Sequence, residues 1–276
     1  MKKTWFITGA SSGIGRLATE QLLARGHRVA ATLRQAGRLK VLTERYSQLL
    51  RVYELDVRNP RAISECVDRA VSDIGQIDVV LSNAGYGLFG AAEELSDAQI
   101  ADQIATNLLG PIHLARAFLP HFRTSGSGHF VQMSSMGGVL AVPGLSMYHV
   151  TKWGVEAFFD SVGAEVASFG INVTLVEPGI IRNSFHKSIV RAIPMSEYAQ
   201  NPAMLSLTRD EIPHDQMIGD PQKIVEAIIS VTHQLHPPRR LLLGSDAYRW
   251  VHAALLGRVK AVEEQRHTAG LTDIGE

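Results

Sequence analysis

The sequence predicts an α/β protein: a doubly wound, mostly parallel seven-stranded sheet with helices on both faces. Three observations carry that expectation. Short runs rich in Val, Ile and Leu recur along the 276 residues with little polar alternation, as strands do when both faces of a parallel sheet are covered. Stretches of helical periodicity, about 10–20 residues long, separate them, which is the spacing of β-α-β crossovers. A glycine-rich turn stands between the first apolar run and the first helical stretch.

In chain order, strands are expected at residues 4–8, 27–33, 50–55, 79–82, 129–133, 172–176 and 240–243. Leu17, Ala18, Leu22 and Leu23 mark the first helix, and Ile63, Cys66, Val67 and Ala70 share one face of another. Val155, Phe158 and Phe159 mark a later one. The rhythm breaks at residues 182–219, which carry Pro194, Pro202 and Pro213. Connections of that length are usually lids or binding loops. Asp220-Pro221 then reads as an N-cap followed by proline at the first helical position. Residues 246–270 read as a C-terminal helical extension. One domain over residues 1–276 is expected, with a substrate-side lid at about 182–219.

Composition narrows the function. Hydrophobic residues make up 45%, enough for a real core, and 27 basic residues balance 27 acidic ones. Without a basic excess, nucleic acid is not an expected partner. The single cysteine, Cys66, rules out an internal disulfide and a thiolate metal cluster, and its face assigns it to the core. No apolar stretch reaches membrane-spanning length, and the run behind Met-Lys-Lys is too short for a signal peptide. A cytoplasmic location is expected. His233 and His236 lack zinc-like spacing with carboxylate partners, so no metal is expected.

The glycine-rich turn is Thr8-Gly9-Ala10-Ser11-Ser12-Gly13-Ile14-Gly15. Strand, turn and helix in that order make a phosphate cradle: the glycines let the backbone approach a pyrophosphate, and the helix start offers unpaired N–H groups. Glycine-rich turns also occur for structural reasons alone. Tyr148 and Lys152 are four apart at the start of a helix, hence on one face. A phenol with a pKa of about 10 exchanges protons poorly at neutrality, and an adjacent ammonium favours its ionised form. Ser135 precedes Tyr148 by thirteen residues and follows a strand end, where open α/β sheets place active groups. Ser134 is an equally placed neighbour.

With Asp56-Val57, Asn83-Ala84-Gly85, Asn107 and Pro178-Gly179 added in order, the chain resembles the short-chain dehydrogenase/reductase (SDR) family in its compact form, over residues 4 to about 183. It is similar to the 17β-hydroxysteroid and retinol dehydrogenase branch, through Ala-Thr-Leu-Arg and the length beyond Pro178-Gly179. The resemblance implies a Rossmann fold and an oxidoreductase. Tyr148 would be its general acid/base, Lys152 would lower the phenol pKa and bond the nicotinamide ribose, and Ser135 would orient the substrate oxygen. Asn107 would hold a water that links Lys152 to solvent. Gly9, Ser11, Ser12, Gly13, Ile14 and Gly15 would cradle the pyrophosphate. Asp56 and Val57 would meet the adenine, and Asn83, Ala84 and Gly85 the adenosine end. Pro178, Gly179 and Ile181 would wrap the nicotinamide. Asn183 stands where the family often has threonine, a change of detail near the carboxamide.

Cofactor choice is read at the end of the second strand. NAD-preferring relatives carry an acidic residue where this chain has Leu33, and Arg34 follows. A guanidinium suits a 2′-phosphate, so NADP(H) is expected over NAD(H). The substrate pocket is expected from residues 138–145, from Tyr86, Leu88 and Phe89, and from the lid. Val142 and Phe185 join Ser135 and Tyr148 as substrate contacts, beside Val139, Leu140, Ile189, Met195 and Tyr198. A small hydrophobic carbonyl or alcohol is expected, and the family resemblance implies a homodimer or homotetramer. The rival reading is a catalytically silent NADP(H)-binding sensor.

Overall fold

A computed structural model describes residues 2–183, 185, 188–205 and 217–274. Seven strands form one sheet: β1 (Thr4–Thr8), β2 (Arg28–Leu33), β3 (Leu50–Glu54), β4 (Val79–Ser82), β6 (Gly128–Met133), β7 (Ile171–Pro178) and β9 (Arg240–Leu243). Their order is β3-β2-β1-β4-β6-β7-β9, and every pairing is parallel. The order reverses between β1 and β4, which opens a crevice at the carboxyl ends of those strands. The doubly wound sheet therefore stands as expected, with β7 longer than its apolar run.

Successive side chains of a strand point to opposite faces. Trp5 and Ile7 of β1 thus enter one core with α1 (Gly13–Ala24), α2 (Lys40–Arg45) and α8 (Pro221–Val231). Phe6 enters the other, with α3 (Pro60–Ile74), α5 (Gly110–Ser125) and α6 (Ser146–Glu165). Cys66 is buried there with Ile63 and Val67. Asp220 caps α8, its Oδ1 accepting the Gln222 N–H at 2.8 Å.

Three features depart from the sequence reading. Leu88–Phe89 (β5) and Val190–Arg191 (β8) pair as a separate two-stranded ribbon, too short to leave a periodic pattern. The C-terminal extension is two helices, α9 (Ser245–Glu264) and α10 (Arg266–Gly270). Between α4 (Asp97–Ile104) and α5 the chain makes a π-helical turn, Ala105–Leu109. Pro111 explains the interruption: it has no N–H to offer the Asn107 carbonyl in an α-helical bond. Among the described residues no helix is long and apolar enough to cross a membrane, and no group of three or more His, Cys, Asp or Glu residues is disposed to hold a metal.

Candidate active site

The turn after β1 is built by conformation and close approach. Gly9 and Gly13 have φ of +69° and +54°, a region that favours glycine. A Cβ on Gly9 would lie 2.9 Å from the Ala84 Cα, and one on Gly15 would lie 2.5 Å from the Gly9 carbonyl oxygen. Asn83 Nδ2 donates to the Thr8 carbonyl at 3.0 Å, while Thr8 Oγ1 accepts the N–H groups of Asn83 and Ala84 at 2.9 and 3.0 Å. These bonds tie the ends of β1 and β4 together and set the floor of the crevice. Ile14 is buried and anchors the helix start. Ser12 caps α1 without a side-chain bond, and no acidic residue stands in the first turn. The amide groups and dipole end there suit an anion.

Beside this turn Leu33 is buried and Arg34 exposed. Arg34 helps hold the Asp56 carboxyl below its ordinary range, although the larger cause is the Arg58 guanidinium, which bonds Asp56 through Nε at 3.0 Å and Nη2 at 2.6 Å. Arg58 also reaches Asp102 at 2.7 Å. Gly110 packs against Val57. Asn107, in the π-helical turn, accepts the Tyr86 N–H at 3.1 Å and donates to the Tyr86 carbonyl at 2.8 Å. A Cβ on Gly85 would meet Asn107 Oδ1 at 3.1 Å.

Across the crevice, α6 presents Tyr148 and Lys152. Burial raises the phenol pKa, and the neighbouring Ser135 hydroxyl opposes that rise. The structure separates the two serines: Ser135 meets Tyr148, whereas Ser134 lies against Glu156. Lys152 is buried, its Nζ donates to the Met133 carbonyl at 2.9 Å, and it lies 5.6 Å from the Tyr148 ring centroid. Burial lowers its pKa to about 8. The expectation that the ammonium alone pulls the phenol downward needs correcting here: the net direction is upward, because burial dominates.

The turn after β7 is held from α9. Asp246 Oδ2 accepts the Ile180 N–H at 2.8 Å and packs against Gly179, which follows Pro178. Ile181 bridges to Gly219, joining the two ends of the 182–219 connection. Asn183 Oδ1 accepts the Phe185 N–H at 2.9 Å, and the Phe185 ring lies 6.4 Å from that of Tyr148. Phe185 and Ile189 cover Gly87. The 182–219 connection is pinned further out: Glu94 accepts the Met195 N–H at 2.9 Å, and Tyr198 donates to Glu93 at 3.0 Å. Opposite, residues 137–142 are held by α6 and α9. Val142 donates its N–H to His149, Trp153 Nε1 donates to the Leu140 carbonyl at 3.3 Å, and Arg258 stacks on Trp153 while bonding the Val139 carbonyl.

Sequence reasoning missed His149, Glu156, Arg58 and Arg258. Glu156 was readable in part, since it continues the face of Tyr148 and Lys152 by one more turn. His149 reaches back 7 and 12 residues and Arg258 reaches back 119, whereas Arg58 pairs with Asp56 two positions away and with Asp102 44 away.

Residues 3–193 match the family model described as short chain dehydrogenase. Oxidoreductase BOA17 of Botryotinia fuckeliana is 36% identical over 256 residues, 92% of this chain and 93% of that protein. Human retinol dehydrogenase 8 is 32% identical over 252 residues, covering 86% and 80%. Among solved structures, a short-chain dehydrogenase from Streptomyces avermitilis superposes with a TM-score of 0.91 at 34% identity, over 99% of this chain and 98% of that one. An archaeal alcohol dehydrogenase from Thermococcus sibiricus, complexed with 5-hydroxy-NADP, gives 0.72 at 25% identity over 88% and 96%. The motifs, the strand order and these likenesses agree: the chain belongs to the short-chain dehydrogenase family of oxidoreductases.

Proposed function

We propose that this oxidoreductase is NADP(H)-dependent and interconverts a small hydrophobic ketone or aldehyde and the corresponding alcohol. One observation carries the reading: Tyr148 stands beside Ser135 at the carboxyl end of the sheet, one helical turn from a buried Lys152 that donates to the Met133 carbonyl.

The residues fit a dinucleotide. Gly9 and Gly15 have no room for a Cβ against Ala84, Asn83 and the Gly9 backbone, so the turn folds tightly, and the start of α1 supplies amide donors for a pyrophosphate beside Ser11, Ser12 and Gly13. Arg34, exposed past β2, would pair with a 2′-phosphate; Asp56 and Val57 would flank the adenine, with Asn83, Ala84 and Gly85 along the adenosine end. The NADP-type ligand of the Thermococcus sibiricus structure supports that choice. Pro178, Gly179 and Ile181 would line the nicotinamide, which supplies or accepts the hydride when bound.

Tyr148 would give its proton to the carbonyl oxygen in reduction and take one from the alcohol in oxidation, help typically worth 10²–10⁴-fold. Ser135 would hold the same oxygen. Lys152 would place positive charge beside the developing phenolate. The Asn107 side chain is committed to Tyr86, so its main-chain carbonyl, denied an α-helical partner by Pro111, is the group that would hold a relay water. Val142 and Phe185 would form apolar walls, with the 182–219 segment as lid, all within one folding unit.

A panel of ketones, aldehydes and alcohols, run with both nicotinamide pairs beside Tyr148→Phe, tests this reading. Wild-type turnover with NADPH and its loss in the variant, with nucleotide binding kept, is the expected result. Full turnover by the variant would remove the proton donor. NADPH binding without turnover of anything would favour the sensor.

A further inference from the structure

Behind Lys152, away from the crevice, lies a buried group of charges with no part in the scheme above. Glu156 is one helical turn beyond Lys152 on α6, and its side chain is 8% exposed. Glu177, the residue before Pro178 on β7, is 3% exposed. A single guanidinium serves both, with Arg240 Nε 3.2 Å from Glu156 Oε2 and 3.1 Å from Glu177 Oε1. Arg240 Nη2 is also paired with Asp160, on the next turn of α6. Both oxygens of Glu156 are buried without a well-aligned donor, as is Glu177 Oε1. The charged groups facing the two glutamates are Lys152 and Asp160 from α6 and Arg240 from β9; neutral Ser134 faces Glu156 from the end of β6. Three carboxylates stand against two cations; Asp160 and Arg240 are partly solvated, at 44% and 42% exposure, whereas Glu156 and Glu177 are buried against one guanidinium nitrogen. Two buried carboxylates held on the same nitrogen do not both ionise readily.

We propose that Glu156 and Glu177 share one exchangeable proton, and that Glu156 is a positioning residue that acts through Lys152 by supplying the counter-charge that keeps it an ammonium. Burial raises both carboxyls, but Glu156 has Lys152 and Arg240 beside it, whereas Glu177, pushed up to about 7, has Arg240 alone and the like charge of Glu156, so Glu177 is the member that carries the proton. Glu156 then stays ionised, raising the pKa of Lys152 against the burial that lowers it. This inference rests on the proposed oxidoreductase site.

Two isosteric variants test it, because only one of them should move the profile. The alkaline limb of the kcat/KM profile for carbonyl reduction reports loss of the ammonium. Glu156→Gln removes its counter-charge and should move that limb down by about one pH unit. Glu177→Gln keeps Glu156 ionised beside Lys152, on which Glu177 does not act, and should leave the limb in place. A downward shift in both, or no shift in Glu156→Gln, overturns the proposal, because a merely structural role lowers the whole profile without moving it. Carboxyl carbon-13 titration of the glutamate-labelled, full-length protein decides independently of turnover and of whether Glu156→Gln folds. One glutamate should titrate near neutrality in wild type and vanish in Glu177→Gln. Only ordinary glutamate titration in wild type overturns the proposal, whereas neutral titration without turnover overturns only the assigned reaction.

Discussion

His149 accepts the Val142 N–H through Nε2 at 3.0 Å. The ring nitrogen that accepts from an amide carries no proton, so Nδ1 bears the hydrogen and donates it to the Gly137 carbonyl at 2.8 Å. The residue after Tyr148 thus braces both ends of the loop that follows Ser135. Burial lowers its pKa, which keeps the ring neutral as the two bonds require. His149→Phe leaves a donor and an acceptor unpaired, each costing about 1–3 kcal/mol. Stability measured in denaturant should fall by about 2–6 kcal/mol, and kcat/KM should fall through a raised substrate KM. An unchanged KM would show that the brace does not shape the substrate side.

Arg34 decides nucleotide preference in the proposed reading. Its exposed guanidinium faces a crevice edge where Leu33 is turned into the core and offers no acceptor to a ribose hydroxyl. A charge-assisted contact is worth about 1.5–3 kcal/mol, so Arg34→Ala should raise the KM for NADPH by about 10–100-fold. The KM for NADH should barely change. Equal changes for both nucleotides would place the 2′-phosphate elsewhere.

Much of this architecture was legible because the physics is local. Trp5, Phe6 and Ile7 announce a strand covered on both sides, and the structure sends Trp5 and Ile7 to one core and Phe6 to the other. Tyr148 and Lys152 share a face by helical spacing alone. The choice between Ser134 and Ser135 was not legible: adjacent residues leaving a strand point opposite ways, and only the register of β6 beside α6 says which meets the phenol. Glu177 and Arg240 are brought to Glu156 by the pairing of β7 with β9, a contact that no sequence window contains. The upward direction of the Tyr148 pKa depends on burial, which spacing does not report.

Gly9 tests the nucleotide cradle without touching the proton-transfer groups. Its φ of +69° costs a side chain about 1–2 kcal/mol, and the nearest obstacle to a Cβ is backbone, the Ala84 Cα at 2.9 Å. Gly9→Ala should therefore lower stability by at least that amount and weaken NADPH binding, measured by fluorescence titration. Retained stability and affinity would mean that β1 and β4 can separate at their ends, against the bonds Asn83 makes to Thr8.

His129 predicts an acid-sensitive fold. It is buried on β6, and its Nε2 lies 2.9 Å from Thr174 Oγ1. That hydroxyl donates to the Pro238 carbonyl at 2.8 Å, so it accepts from the ring. Burial, with a smaller contribution from Lys3, lowers the pKa from 6.5 to about 4. The unfolded chain therefore binds the proton first as pH falls. The stability is fully present above pH 6.5, drains as pH drops toward 4, and amounts to about 3 kcal/mol once lost. Denaturant unfolding at pH 7, 5.5 and 4 should show that decline, and His129→Gln should flatten it. A decline of equal size in the variant would assign it to carboxylates elsewhere.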